Sequence, residues 1–179
     1  MLEILFYVLA ILAIAIIGLI AYASKRPDTF SVQRSVAIAA PPERIYPLIA
    51  NLRAMNTWNP FVASDPSVRI TYGGPEAGQG AAHTWTGNRN VGEGRIEITS
   101  AEAPTRIGMR LEMVKPFKAD NRIEFTLSRA SADTHVTWAM SGRQPLMAKV
   151  ASLFIDCDGM CGREFEKGLT SLKAIAEQQ

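Results

Sequence analysis

Of the residues in this chain that can move a proton, His83 is the one placed where a reaction could use it. It shares the parity of Trp85 within the alternating segment 81–86, and a period of two sends such residues to the same face of a sheet. There it could act as a general acid or base, or hydrogen-bond a ligand carbonyl. It could equally be a satisfied structural histidine. His135 has the opposite parity to Val136 and Trp138, which assigns it to the solvent side, and Glu97, Glu112 and Glu124 also alternate outward. No carboxylate pair emerges, and no partner to orient His83 as a triad would require.

Metal chemistry has less to build on. Cys157 and Cys161 stand four apart in a helical pattern, which aims both thiols along one face and disfavours a strain-free disulfide. Zinc takes four ligands, Asp156 and Asp158 project elsewhere, and neither histidine has a clear route to the pair. The cysteines therefore read as small buried thiols, and Gly92-Glu93-Gly94 lacks the following helix that a phosphate cradle needs. No metal and no cofactor is expected. With 19 basic and 17 acidic residues scattered along the chain and a net charge of +2, no field marks nucleic acid as a partner.

The elements that must position these residues begin with an apolar run. Leu2 to Ala23 is apolar except for Glu3, and about 20 such residues let a helix cross about 30 Å of hydrocarbon. Ala21-Tyr22-Ala23 before Ser24 would suit a signal cleavage site, and a buried core helix would share the composition. The acidic start and the length of the run favour a retained single-pass anchor. Lys25 and Arg26 follow it, so the positive-inside rule puts the rest of the chain on the cytoplasmic face. The expected organisation is an anchor over 1–24, a tether over 25–28 and one domain over 29–179, whose roughly 150 residues suffice for a single core.

In that domain the pattern predicts a strand over 29–39 and a helix opening at Pro41-Pro42-Glu43, with Ile45, Leu48, Ile49 and Leu52 at helical spacing and Pro47 bending it. A weaker helical turn follows over 52–58. Strands are expected over 68–72, 81–86, 92–100, 106–114, 122–127 and 135–140. Ile107, Met109, Leu111 and Met113 share one face opposite Arg106, Gly108, Arg110 and Glu112, so the sheet is antiparallel with one dry face. A single amphipathic helix is expected over 146–177, with Leu146, Val150, Leu153, Cys157, Cys161, Phe165, Leu169 and Leu172 on its stripe and Lys149, Asp156 and Arg163 opposite. On the same wheel Gly159 and Gly162 lie off the stripe, while Gly168 lies on it and permits close approach to the sheet; the Asp158-Gly159 pair could instead mark a kink or a break. The fold class is α+β, a curved antiparallel sheet of about seven strands wrapped on a long C-terminal helix and preceded by one transmembrane helix.

That order, with Ala40-Pro41-Pro42-Glu43-Arg44-Ile45-Tyr46, Trp58-Asn59-Pro60, Trp85-Thr86-Gly87-Asn88, Val91-Gly92-Glu93-Gly94-Arg95, Lys115-Pro116-Phe117, Thr137-Trp138-Ala139-Met140-Ser141-Gly142 and Phe165-Glu166-Lys167-Gly168-Leu169, resembles the START-like (SRPBCC) superfamily of helix-grip domains. The resemblance is to its polyketide cyclase/dehydrase and lipid-transport branch. It covers the chain from about Phe30 onward and implies a cavity between sheet and helix that holds a hydrophobic small molecule. The anchor is no part of the family's common core.

If the dry face lines such a cavity, its walls comprise His83, Trp85, Met109, Leu111, Met113, Phe125, Trp138 and Met140, with Phe154 and Met160 from the helix and Trp58 and Phe61 near an entrance. Methionine adapts to irregular ligands and aromatic walls give large contact area, although the same residues would also describe a packed core. Three functions follow. The first is a membrane-anchored binder or carrier of a lipid, quinone-like or polyketide-like molecule. The second is an enzyme of cyclase or dehydratase type using His83. The third is a packed, non-enzymatic membrane scaffold. The sequence implies no oligomeric state.

Overall fold

A computed structural model describes residues 2–154 and 156–178, without the side chains of Leu2 and Cys157. The elements are α1 (Leu2–Ser24), β1 (Thr29–Ile38), α2 (Pro42–Ala50), α3 (Leu52–Met55), α4 (Pro60–Ala63), β2 (Arg69–Gly73), β3 (Ala82–Thr86), β4 (Glu93–Glu102), β5 (Arg106–Lys115), β6 (Ala119–Ala130), β7 (Asp133–Arg143), α5 (Leu146–Ala151) and α6 (Cys157–Gln178). The chain forms two compact units, Met1–Phe30 with Arg143–Cys157, and Ser31–Gly142 with Asp158–Gln179.

In the larger unit the seven strands make one curved antiparallel sheet in the order β1-β7-β6-β5-β4-β3-β2. Burial alternates as the sequence pattern demands. Ile107, Met109, Ile123, Phe125, Leu127, Val136 and Trp138 are buried, and their neighbours carry ion pairs on the outer face, among them Arg110 Nη2 to Asp120 at 2.8 Å and to Glu112 at 3.0 Å. α6 lays Phe165, Leu169, Leu172 and Ala176 on the dry face, an i, i+4, i+7, i+11 stripe. Its C-terminal end is latched to β1 and the chain beyond it. Lys173 Nζ donates to the Ala37 carbonyl at 2.7 Å, and the Ala39 amide donates to Glu177 Oε1 at 2.8 Å.

The short helices between β1 and β2 owe their bounds to caps. Pro42 opens α2, where a missing amide costs nothing. Asn51 Oδ1 accepts from the amides of Arg53 and Ala54 at the start of α3, and Asn59 Oδ1 accepts from that of Phe61 at the start of α4. With the Trp58 indole donating to the Leu48 carbonyl at 2.9 Å, this fixes the Trp58-Asn59-Pro60 corner over the sheet. Strands β4 to β7 run longer than the pattern predicts, and α4 falls outside the predicted elements.

Two sequence expectations are corrected. The helix expected over 146–177 is divided: α5 ends at Ala151, where the amides of Leu153 and Phe154 reach back three residues to Val150 and Ala151. Ser152 Oγ donates to the Lys149 carbonyl at 2.8 Å, side-chain bonding that competes with helix continuation. α6 then starts afresh with Asp158 in its first turn, favourable for the helix dipole. Gly162, expected off the stripe, is buried; a Cβ there would lie 2.0 Å from Arg34 Nη2. Arg34 points inward from β1 and pairs with Asp158 at 3.0 Å and Glu166 at 2.9 Å, so the glycine makes room for a guanidinium.

In the smaller unit α1 is long and apolar enough to cross a membrane, and none of its most apolar window is buried. Beside α1 lies α5.

Candidate functional site

The dry face of the sheet has two ends. At one end it is packed with aromatic rings. Phe125 and Trp138 are cross-strand partners in the β6–β7 ladder, with ring centroids 5.0 Å apart. Phe165 of α6 stacks on Trp138 at 4.3 Å and 7°. Trp58 stands edge-on to both sheet rings, at 6.0 Å from Phe125 and 5.8 Å from Trp138. Phe61 meets Trp138 edge-on at 6.5 Å. Gly168 allows this closeness, because a Cβ there would sit 2.8 Å from Trp138 Cζ3 and 3.0 Å from Pro60 Cδ. Inside the cluster the Trp138 Nε1–H is buried with no hydrogen-bond partner among the described residues.

The other end is less covered. Trp85, Gly94 and Met113 are consecutive cross-strand partners on β3, β4 and β5, and Leu111 pairs with Asn121 of β6. The Trp85 indole lies across Gly94, where a Cβ would fall 2.5 Å from Trp85 Cη2, and its Nε1 donates to the Val91 carbonyl at 3.2 Å. Trp85, Leu111 and Met113 are half-buried, whereas Met109 and Met140 are buried. Beyond this end, Val114 and Phe117 at the β5–β6 turn are exposed.

His83 is buried beside a polar cluster. Its Nδ1 lies 3.5 Å from Asn56 Nδ2, which donates to the Tyr72 hydroxyl at 3.0 Å, while Asn56 Oδ1 accepts from Asn59 Nδ2 at 3.3 Å. The Tyr72 and Trp85 rings flank the imidazole edge-on at 5.6 and 6.0 Å. Burial pushes its pKa down to about 4. At neutral pH the ring is therefore neutral, with about one molecule in a thousand protonated. It can donate or accept a hydrogen bond but is a poor reservoir of protons. Among the described residues no carboxylate joins it: Glu97, Glu112 and Glu124 are paired with Arg95, Arg110 and Arg106 outside, and His135 is exposed.

Beyond the sheet wall, a cavity of about 360 Å³ opens between α3 and the β2–β3 turn, lined by Leu52, Arg53, Tyr72, Glu76 and Ala82 among others. The Arg53 guanidinium covers the Tyr72 ring at 4.0 Å. None of the predicted wall residues lines it. Among the described residues no group of three or more metal-ligating side chains occurs; Cys161 is half-exposed, and the Cys157 side chain lies outside the described residues.

The structure thus brings together Trp58, Phe61, Phe125 and Trp138 at one end of the dry face, and Trp85, Leu111 and Met113 at the other, with Met109 and His83 among the buried side chains of the same face. Met160 is 54 % exposed and Phe154, in the unit containing α1, is 75 % exposed. Sequence reasoning missed Phe165 as a wall residue, and Tyr72 and Asn56 beside His83. Tyr72 was findable, since it shares the parity of Ile70 and pairs with His83; nothing in the sequence marks Asn56.

Residues 29–177 match the family described as polyketide cyclase / dehydrase and lipid transport. No curated protein matches the chain. Solved structures share the fold. A protein of Chromobacterium violaceum is 17 % identical with a TM-score of 0.59, covering 85 % of this chain and 99 % of its own. One from Mesorhizobium loti is 14 % identical at 0.62, covering 84 % and 98 %. The ginseng major latex-like protein from Panax ginseng is 9 % identical at 0.62, covering 84 % and 99 %.

Proposed function

The chain belongs to the polyketide cyclase / dehydrase and lipid transport family, and from that premise we propose that it binds a hydrophobic small molecule against the dry face of its sheet while α1 holds it in a membrane. The single observation that carries this reading is the half-covered apolar wall of Trp85, Leu111 and Met113, which continues without a break into a fully buried one. Apolar surface left on a concave inner face is stabilised by an apolar guest, at about 25 cal/mol per Å² removed from water. Polar recognition would be sparse, supplied by the neutral imidazole of His83, which suits a ligand bearing a hydrogen-bonding group such as a carbonyl. Such a ligand is lipid-like, quinone-like or polyketide-like, and a short tether after α1 suits exchange with the bilayer.

A second reading, a cyclase or dehydratase acting through His83, draws on the Asn56 contact that could orient the imidazole. Its depressed pKa weighs against it, because a general base works best with a pKa near the working pH. The packed aromatic cluster favours a third, a scaffold with no guest. Native mass spectrometry of the detergent-extracted full chain separates the readings. A co-purified hydrophobic compound of defined mass is expected, and it should be retained, with weaker binding, in a His83→Ala variant. A chain that carries no guest and takes up no lipid-soluble fluorescent probe would leave only the scaffold.

A further inference from the structure

α5 wears its amphipathicity inside out. The apolar stripe predicted over 146–177 should bury Leu146 and expose Lys149, as an amphipathic helix in water does. Instead Lys149 is 5 % exposed, its ammonium bonded to Asp28 Oδ1 at 2.5 Å, while Met147 is 78 % exposed and Leu146 and Phe154 also face outward. The charge is turned toward the protein and the grease away from it. Asp28 is held in place by its own backbone, whose carbonyl accepts from the Gln144 amide at 2.7 Å, and Lys149 keeps its carboxyl below the usual range. Arg26 Nη1 reaches Ser152 Oγ at 3.4 Å, at the end of α5.

All these residues belong to the compact unit that contains α1. Ala23, in the last turn of α1, is fully buried, and α5 is the element beside that helix. If α1 spans the bilayer, its last turn is where the chain leaves hydrocarbon. Tyr22, with the Arg26 guanidinium 5.9 Å from its ring centroid, has the aromatic and basic character of a membrane–water boundary. A segment docked within one turn of that exit, about 5.4 Å of helix, falls in the zone where interfacial helices bury their apolar sides 5–10 Å into the headgroup boundary. We propose that residues 146–154 form a second membrane contact, with Leu146, Met147 and Phe154 seated among lipid headgroups and upper acyl chains. This rests on the reading of α1 as an anchor.

The test uses the full chain with Cys157→Ala and Cys161→Ala, reconstituted into phosphatidylcholine vesicles, carrying one environment-sensitive fluorophore at Met147→Cys, Phe154→Cys or, within α1, Ile11→Cys. Expected are quenching of about two-fold or more at 147 and 154 by lipids doxyl-labelled near the headgroup boundary, and at 11 by lipids labelled deep in the acyl chain. Quenching at 11 with 147 and 154 open to aqueous iodide would overturn this inference and leave the anchor intact. Probes at 147 and 154 shielded from both quenchers would mean that protein, a second copy or another part of the chain, covers the patch, which also overturns it. An unquenched probe at 11 would remove the anchor and this inference together.

Discussion

β5 carries a contrast within ten residues. Ile107 and Met109 are wholly buried, while Leu111 and Met113, on the same face of the same strand, are only partly buried. The strand does not change character between them; what lies above it does. Toward its C-terminus α6 offers Phe165, Leu169 and Leu172, which fill the space over the buried half. Toward its N-terminus it offers Gly159, Cys161 and Gly162, with Met160 turned outward and Arg34 filling the room that Gly162 leaves. Alternation along a strand therefore says which face is dry, and only the volume on the facing helix says how completely it is covered.

The sharpest way to break this contrast is truncation at each end. Phe165→Ala removes the plate stacked on Trp138 and should cost about 3–5 kcal/mol, as for other buried aromatics. Leu111→Ala removes a side chain that is only partly buried and should cost about 1 kcal/mol. Denaturant unfolding of the detergent-solubilised chain measures both, and equal losses would mean the two ends are packed alike.

Next in size is the pH dependence set by His83, at the margin between the two ends. Its folded pKa of about 4 lies below the ordinary 6.5, so the unfolded chain takes up the proton first as pH falls. The stability is fully present above pH 6.5, declines between 6.5 and 4, and levels off below, a loss of about 3 kcal/mol. In His83→Gln the stability should be flat across that window. Asp65, held below its usual range by Ser67 and the Asn88 amide, adds a further decline only below its ordinary 3.8, where it becomes protonated. A histidine variant as pH-sensitive as the parent would show that the imidazole is not desolvated.

Much of this arrangement was legible beforehand, for identifiable reasons. The dry face of β5 and β6 is a local repeat, Ile107, Met109, Leu111, Met113 and Ile123, Phe125, Leu127, and a period of two needs no knowledge of the rest of the chain. The Gly168 approach was readable because the glycine falls on a clear helical stripe. What escaped depends on partners distant in sequence. Lys149 reads as a surface residue until Asp28, 121 residues away, takes its ammonium. Gly162 reads as exposed until Arg34 arrives from β1, and Asn56 reads as turn until β2 and β3 bring Tyr72 and His83 to it. The break after α5 falls earlier than the Asp158-Gly159 pair that could mark one, because a helical wheel carries the stripe from Leu153 to Cys157 without interruption.

The smallest effects test the same contrast through the two glycines of α6. Alanine at either position gains about 1 kcal/mol of helix propensity, so the sign depends on what the new methyl meets. At Gly168 it meets Trp138 and Pro60 at 2.8 and 3.0 Å, two rings that cannot turn aside, and such overpacking costs about 1–3 kcal/mol. Gly168→Ala should therefore be net destabilising by about 1 kcal/mol. At Gly162 the methyl meets the guanidinium of Arg34, the far end of a flexible side chain whose partners Asp158 and Glu166 are exposed. Displacing it sacrifices surface ion pairs worth about 0–1 kcal/mol each, which leaves Gly162→Ala near neutral. Unfolding midpoints of the two variants should differ in that order. If Gly162→Ala proved the more damaging, the Arg34 clamp would be holding α6 to the sheet more firmly than the aromatic cluster does.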